Sequence, residues 1–186
     1  METASQVDIF QALLIRGWMS ERELTWLANV AKYCNVIVEF GSYCGRSARA
    51  MADNTNGIVY AVDPWNGDYP GKFTDSMADI NTFVMPEFVQ NLADHISDKK
   101  VFAVRTWAEC FNLPIGVKAD FVFIDGDHRY KEVIKDIKKA KSLLRPGGML
   151  AGHDYIHDGY PDVKRAVNDE LSEVNVEDTI WWTRKF

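Results

Sequence analysis

Apolar residues in this chain alternate between two rhythms. Short β-branched runs recur at 36–40 (VIVEF), 57–62 (GIVYAV), 100–105 (KVFAVR), 120–125 (DFVFID) and 149–152 (MLAG). Runs of this kind form strands buried on both faces of a parallel sheet. Between them the apolar positions recur three and four apart. Over 130–144, Val133, Ile134, Ile137, Ala140 and Leu144 share one helical face, and 46–53 and 161–171 follow the same rule. Residues 8–33 read as two helices, carrying Ile9, Phe10, Leu13 and Leu14, then Leu24, Leu27, Ala28 and Ala31. Ser20 followed by Glu23 is a capping-box pair that starts the second helix near Glu21. A helix over 80–95 is expected to bend or divide at Pro86. A short helical turn spans 107–111, and a last strand over 179–185 takes the sheet edge, with Trp181 and Trp182 on opposite faces. Strand–helix alternation of this kind predicts a doubly wound, mostly parallel α/β sheet preceded by N-terminal helices.

Residues 64–80 interrupt the rhythm with Pro64, Gly67, Pro70 and Gly71 among Trp65, Tyr69 and Phe73. A loop of that length is usually functional, and its aromatics favour a lid. The 186 residues suit a single domain, with 1–33 as a helical lead-in. A formal net charge of −6 argues against a general nucleic-acid binder. Cys34, Cys44 and Cys110 are odd in number and lack CxxC spacing, which argues against a disulfide framework or structural zinc. No apolar stretch spans a bilayer, and the N-terminus has early acids and no basic lead. The expectation is a cytoplasmic protein.

The chemistry gathers at strand tips. In an open α/β sheet, ligands bind outside the carboxyl ends of the strands. The runs FVFIDGDHRY (121–130) and GGMLAGHDY (147–155) place Asp125, Asp127, His128, His153 and Asp154 at that edge together. His157 follows as a loop residue. The first strand ends in VEFGSYCGRSA (38–48), a glycine turn leading into a helix. Asp63 ends the next strand, 22 residues after Gly41. An acid so placed grips ribose hydroxyls. The glycine spacing matches neither a dinucleotide fingerprint nor a phosphate-cradling loop. Glu39 before the turn disfavours a pyrophosphate and favours a cofactor bearing a cation, such as an ammonium or a sulfonium.

Taken with YAVDPWNGD (60–68) and LLRPGGMLAGHDY (143–155), these blocks resemble the class I S-adenosylmethionine-dependent methyltransferases. Within that superfamily the chain is most similar to the type 24 methyltransferases, related to macrolide sugar O-methyltransferases and cephalosporin hydroxylase-like proteins. The resemblance implies a Rossmann-like fold and O-methylation of a small polar molecule or glycan. It implies that Glu39, Gly41, Ser42 and Gly45 form the methionine side of the cofactor site and that Asp63 holds the ribose. Trp65 would lie beside the adenosine, Thr106 and Trp107 near the adenine, and Asp125 near the transferred methyl. Asp127 or His128 would act as base. Asp125, His153 and Asp154 would hold a divalent ion such as magnesium or manganese, although magnesium prefers all-oxygen ligands and His153 stands where the family has a carboxylate. Acceptor recognition would rest on 64–80, the N-terminal helices or a second subunit in a homo-oligomer. The competing readings are a metal-dependent hydroxylase or hydrolase on the same scaffold, a non-catalytic S-adenosylmethionine-binding module, and a nucleic-acid methyltransferase.

Overall fold

The computed structural model describes residues 6–66 and 84–186. Seven strands form one sheet: β1 (Val36–Phe40), β2 (Ile58–Asp63), β3 (Val101–Arg105), β4 (Ala119–Ile124), β5 (Leu144–Gly152), β6 (Asn175–Glu177) and β7 (Ile180–Thr183). The helices are α1 (Phe10–Leu14), α2 (Glu21–Ala31), α3 (Arg46–Asn54), α4 (Val84–Asn91), α5 (Ala93–Ser97), α6 (Tyr130–Leu143) and α7 (Pro161–Glu170). The strand order is β3-β2-β1-β4-β5-β7-β6. β3 through β5 are parallel, whereas β7 is antiparallel to β5 and to β6.

Side-chain alternation divides the core. Ile37, Val59, Ala61, Phe121, Phe123 and Ala151 face α2, α3 and α4. Val38, Phe40, Val62, Val122, Ile124 and Leu150 face α6 and α7. Both sheet faces are therefore covered, which is why the central strands read as unbroken apolar runs. The connections run outward in opposite directions from β1 and from β4, so a crevice opens where their carboxyl ends meet. The parallel α/β expectation holds.

Three details differ from the sequence expectations. The edge strand is β6; β7 lies inside it, with Trp181 buried and Trp182 packed on Trp26. The helix expected to bend or divide at Pro86 runs through that residue and divides at Leu92. Leu92 is fully buried, and its methyl lies where a Cβ on Gly45 would sit, so docking on the glycine turn sets the break. α1 spans only five residues and leaves Phe10 and Leu14 exposed. Most of the candidate lid at 64–80 lies outside the described residues.

Arg46 fastens the N-terminal helices to the sheet. Its Nε donates to the Met19 carbonyl at 3.0 Å, and its Nη1 donates to the carbonyls of Leu13 at 3.0 Å and Ile15 at 2.6 Å. These carbonyls lie at and beyond the end of α1, where intrahelical bonding runs out. Arg46→Ala is expected to cost about 2–3 kcal/mol, as charged hydrogen bonds of this kind do. Amide exchange should accelerate first in α1, a result readable by mass spectrometry. Cys34, Cys44 and Cys110 are all free thiols. Among the described residues no helix is long and apolar enough to cross a membrane.

Candidate active site

The turn after β1 is made by close approach. Gly41 has φ +88°, and a Cβ there would stand 2.1 Å from the Asp125 carbonyl oxygen. Only glycine lets the tips of β1 and β4 come this near. Beneath the turn, Glu39 is fully buried and accepts a hydrogen bond on Oε1 from Ser47 Oγ. Its Oε2 and the Ser42 Oγ are the buried side-chain atoms left without a partner among the described residues. Burial pushes the Glu39 carboxyl up to about 7, and the charges of Asp125 and Asp63 act in the same direction.

Asp63 ties the turn to the β2 tip. Its Oδ2 accepts from the Tyr43 N–H at 2.9 Å and its Oδ1 from the Trp65 N–H at 2.7 Å. Across the crevice, the β4 and β5 tips interlock. His128 Nε2 lies 2.7 Å from Asp154 Oδ2. His153 Nε2 lies 2.9 Å from Glu23 Oε1, and its Nδ1 lies 3.3 Å from Asp154 Oδ2 and 3.5 Å from Asp125 Oδ1. The resulting chain of groups runs Glu23, His153, Asp154, His128.

Known proteins agree with this architecture. Residues 38–155 match the family profile described as a methyltransferase domain, type 24. The chain belongs to this family. A curated relative, an uncharacterized protein (R132) of Acanthamoeba polyphaga mimivirus, is 31% identical over 87 residues. That match spans 46% of this chain and only 36% of the relative. Among solved structures, the O-methyltransferase NovP superposes with TM-score 0.66 at 16% identity, covering 88% of this chain and 79% of that one. TomG, an O-methyltransferase of Streptomyces achromogenes solved with SAM, gives 0.63 at 15% identity over 98% and 97%. The Bacillus cereus O-methyltransferase solved with SAH gives 0.62 at 17% identity over 92% and 84%. At these identities the superpositions establish a shared fold.

In this family member the two halves of the site face one cavity of about 560 Å³. Gly41 and Asp63 line it beside Asp125, Asp127, His128, His153 and Asp154. Glu39, Ser42 and Gly45 lie behind the turn and do not face the cavity. Trp65, placed beside the adenosine by resemblance, is 5% exposed and packs on Phe88 instead. Its indole donates to the Tyr43 carbonyl at 2.8 Å, so it supports the turn from below. Trp107 lines the cavity, whereas Thr106 only donates its N–H to the Asp63 carbonyl at 3.2 Å. Asp127 is occupied: Arg129 Nε donates to its Oδ1 at 3.1 Å and its Oδ2 at 2.9 Å, and Nη2 donates to Oδ2 at 2.6 Å.

Glu23, Tyr43, Tyr160 and Asp136 are among the lining residues that sequence reading did not assign to the site. Glu23 announced itself only as a helix cap. Tyr43, Tyr160 and Asp136 carried no signal, although Tyr160 stacks on His128 at 4.0 Å and on His157 at 4.8 Å. His157 thus belongs to the cavity wall as well as to a loop. Burial opposes a charged His128, yet the Asp154 hydrogen bond and the charges of Asp125, Asp154 and Asp127 outweigh it and hold the ring above its ordinary value. Burial likewise opposes charge on His153, but Asp125, Asp154 and Glu23 drive it far upward. Asp154, flanked by both rings, lies far below the usual carboxylate range despite burial.

The resemblance also implies a divalent ion. Donor atoms of Asp125, His128 and Asp154 lie within 4.8 Å of one another, so the separations suit an ion. The chemistry does not. Asp154 Oδ2 faces both imidazoles, and Asp125 Oδ1 faces His153 Nδ1. The His153 ring already lies between the two aspartates, and the unpartnered buried atoms lie elsewhere, under the glycine turn. The donor set does not fit a divalent ion.

Proposed function

We propose that this chain methylates a hydroxyl on a small polar or sugar-type acceptor, with His128 as general base and S-adenosylmethionine as methyl donor. The observation that carries the reading is that the Asp63 clamp and the His128–Asp154 pair face one cavity. A volume near 560 Å³ is within the usual range for small-ligand sites. The fit to the donor is one of place and chemistry: Gly41 and the Asp63 carboxylate line the cavity at adjacent strand tips, and an acid so placed suits ribose hydroxyls. S-adenosylmethionine, when bound, supplies a methyl on a cationic sulfur and leaves as the neutral thioether.

His128 removes the proton. Asp154 is ionised, so His128 Nε2 must be the protonated nitrogen, and in the neutral ring the lone pair resides on Nδ1. That nitrogen takes the hydroxyl proton as the oxygen forms its bond to the methyl carbon and the carbon–sulfur pair withdraws to sulfur. Tyr160 stacks on the ring and fixes its plane. Asp127 is held by Arg129 and shapes the turn rather than moving the proton.

The acceptor side carries Glu109, Asp127, Glu132 and Asp136 against Lys135 and Arg129. An acidic wall of this kind suits a neutral or cationic acceptor and disfavours a polyanion such as nucleic acid. A cytoplasmic location accords with three free thiols. The test is calorimetric titration with S-adenosylhomocysteine, then transfer from radiolabelled S-adenosylmethionine to a panel of neutral hydroxyl compounds. Saturable heat and an alkali-stable methyl ether are expected. Absence of both in folded protein defeats the reading.

A further inference from the structure

We propose that the His153 ring is the resident cation of this site, fixed by Glu23 in the position a divalent ion would need between Asp125 and Asp154. Nothing in the family motif reaches Glu23; it arrives from α2, outside the matched residues 38–155. Its carboxylate is held from three sides. Oε2 accepts from the Ser20 N–H at 2.7 Å, while Oε1 accepts from Thr179 Oγ1 and faces His153 Nε2 at 2.9 Å. Thr179 is tied in turn to the β5 tip, its carbonyl accepting from the Tyr155 N–H at 3.0 Å. Glu23 is 4% exposed and His153 is 9% exposed, so neither swings aside without unpacking.

This clamp decides where the ring points. With Nε2–H donated to Glu23, Nδ1 is directed at Asp125 and Asp154. A lone pair on Nδ1 would face the Asp154 carboxylate, which is held well below the usual range and can only accept, so the nitrogen carries a proton there. A divalent ion bound to the same two oxygens would have to displace that proton and meet a ring pinned from behind. His153 is therefore a positioning residue: it neutralises the aspartates and holds Asp154 for His128. With no ion to chelate, the acceptor needs no pair of adjacent oxygens. A lone hydroxyl suffices.

The experiment titrates MnCl₂ and MgCl₂ into chelator-dialysed protein by calorimetry, with His153→Asp in parallel. Wild type is expected to give no saturable heat and to keep its turnover after dialysis against EDTA. His153→Asp, which trades the ring for a third oxygen donor, is expected to bind Mn²⁺ saturably and to gain melting temperature on its addition. The proposal falls if wild type binds one Mn²⁺ saturably, or if EDTA abolishes turnover and Mn²⁺ restores it. It falls equally if folded His153→Asp binds Mn²⁺ no better than wild type. Only the turnover arm rests on the methyl-transfer reading. Titration with S-adenosylhomocysteine in the same sample shows whether that reading or this one has failed.

Discussion

His128→Ala lowers turnover about 10²–10⁴-fold, the usual contribution of a general base, while S-adenosylhomocysteine affinity is kept. The second half of this expectation is a pH profile. His128 must be neutral to accept a proton, and its partners hold the ring above the ordinary histidine value. The wild-type rate should therefore rise with pH through an apparent pKa above about 6.5. Asp154→Asn removes the nearest negative charge and trades an acceptor-only carboxylate for an amide that can also donate to the ring. The rate-bearing limb should then move to lower pH, while the plateau rate falls because the ring is no longer oriented. A structural defect alone would lower the plateau and leave the limb where it was. Measuring kcat/KM from acid to alkaline pH separates the two, and an unmoved limb in Asp154→Asn removes the base from His128.

The second large effect comes from one missing carbon. Gly41→Ala places a methyl 2.1 Å from the Asp125 carbonyl at φ +88°, so the tips of β1 and β4 must separate. Backbone strain alone costs of order 1–3 kcal/mol, and the clash adds to it. At least about 3 kcal/mol is expected, lowering Tm by about 6–12 °C in a chain of this size. Gly116 supplies the control, because its φ is +81° but nothing lies within 4 Å of a Cβ there. Gly116→Ala should show the strain without the clash and keep transfer activity. Equal melting shifts in the two variants would mean that the contact between the tips is looser than drawn.

How much of this was legible depended on whether a residue's role was local. β1, β2 and β4 declared themselves because burial on both faces demands unbroken apolar runs. The acids and imidazoles at 125–128 and 153–154 were visible because the turn position alone aims them at the crevice. β6 was not: Asn175, Val176 and Glu177 are three residues at an edge with exposed side chains, so no pattern is imposed on them. Division at Leu92 rather than Pro86 was set by contact with Gly45, a tertiary fact. The setting of Trp65 was illegible for a related reason: its φ of +42° and its packing on Phe88 are tertiary facts. Glu23 shows the limit most sharply. The capping box was read correctly and is present, yet the same carboxylate also clamps His153, 130 residues away.

That double duty sets the smallest piece of chain able to work. A fragment trimmed to the recognisable family segment, 38–155, would discard α2 with Glu23 and the C-terminal strand pair with Thr179. It would bare the edge of β5 along Leu150, Ala151 and Gly152, a row of unpaired backbone groups that invites aggregation. Anyone minimising this scaffold for engineering must carry both flanks along, since α2 and the segment holding Thr179 meet behind His153.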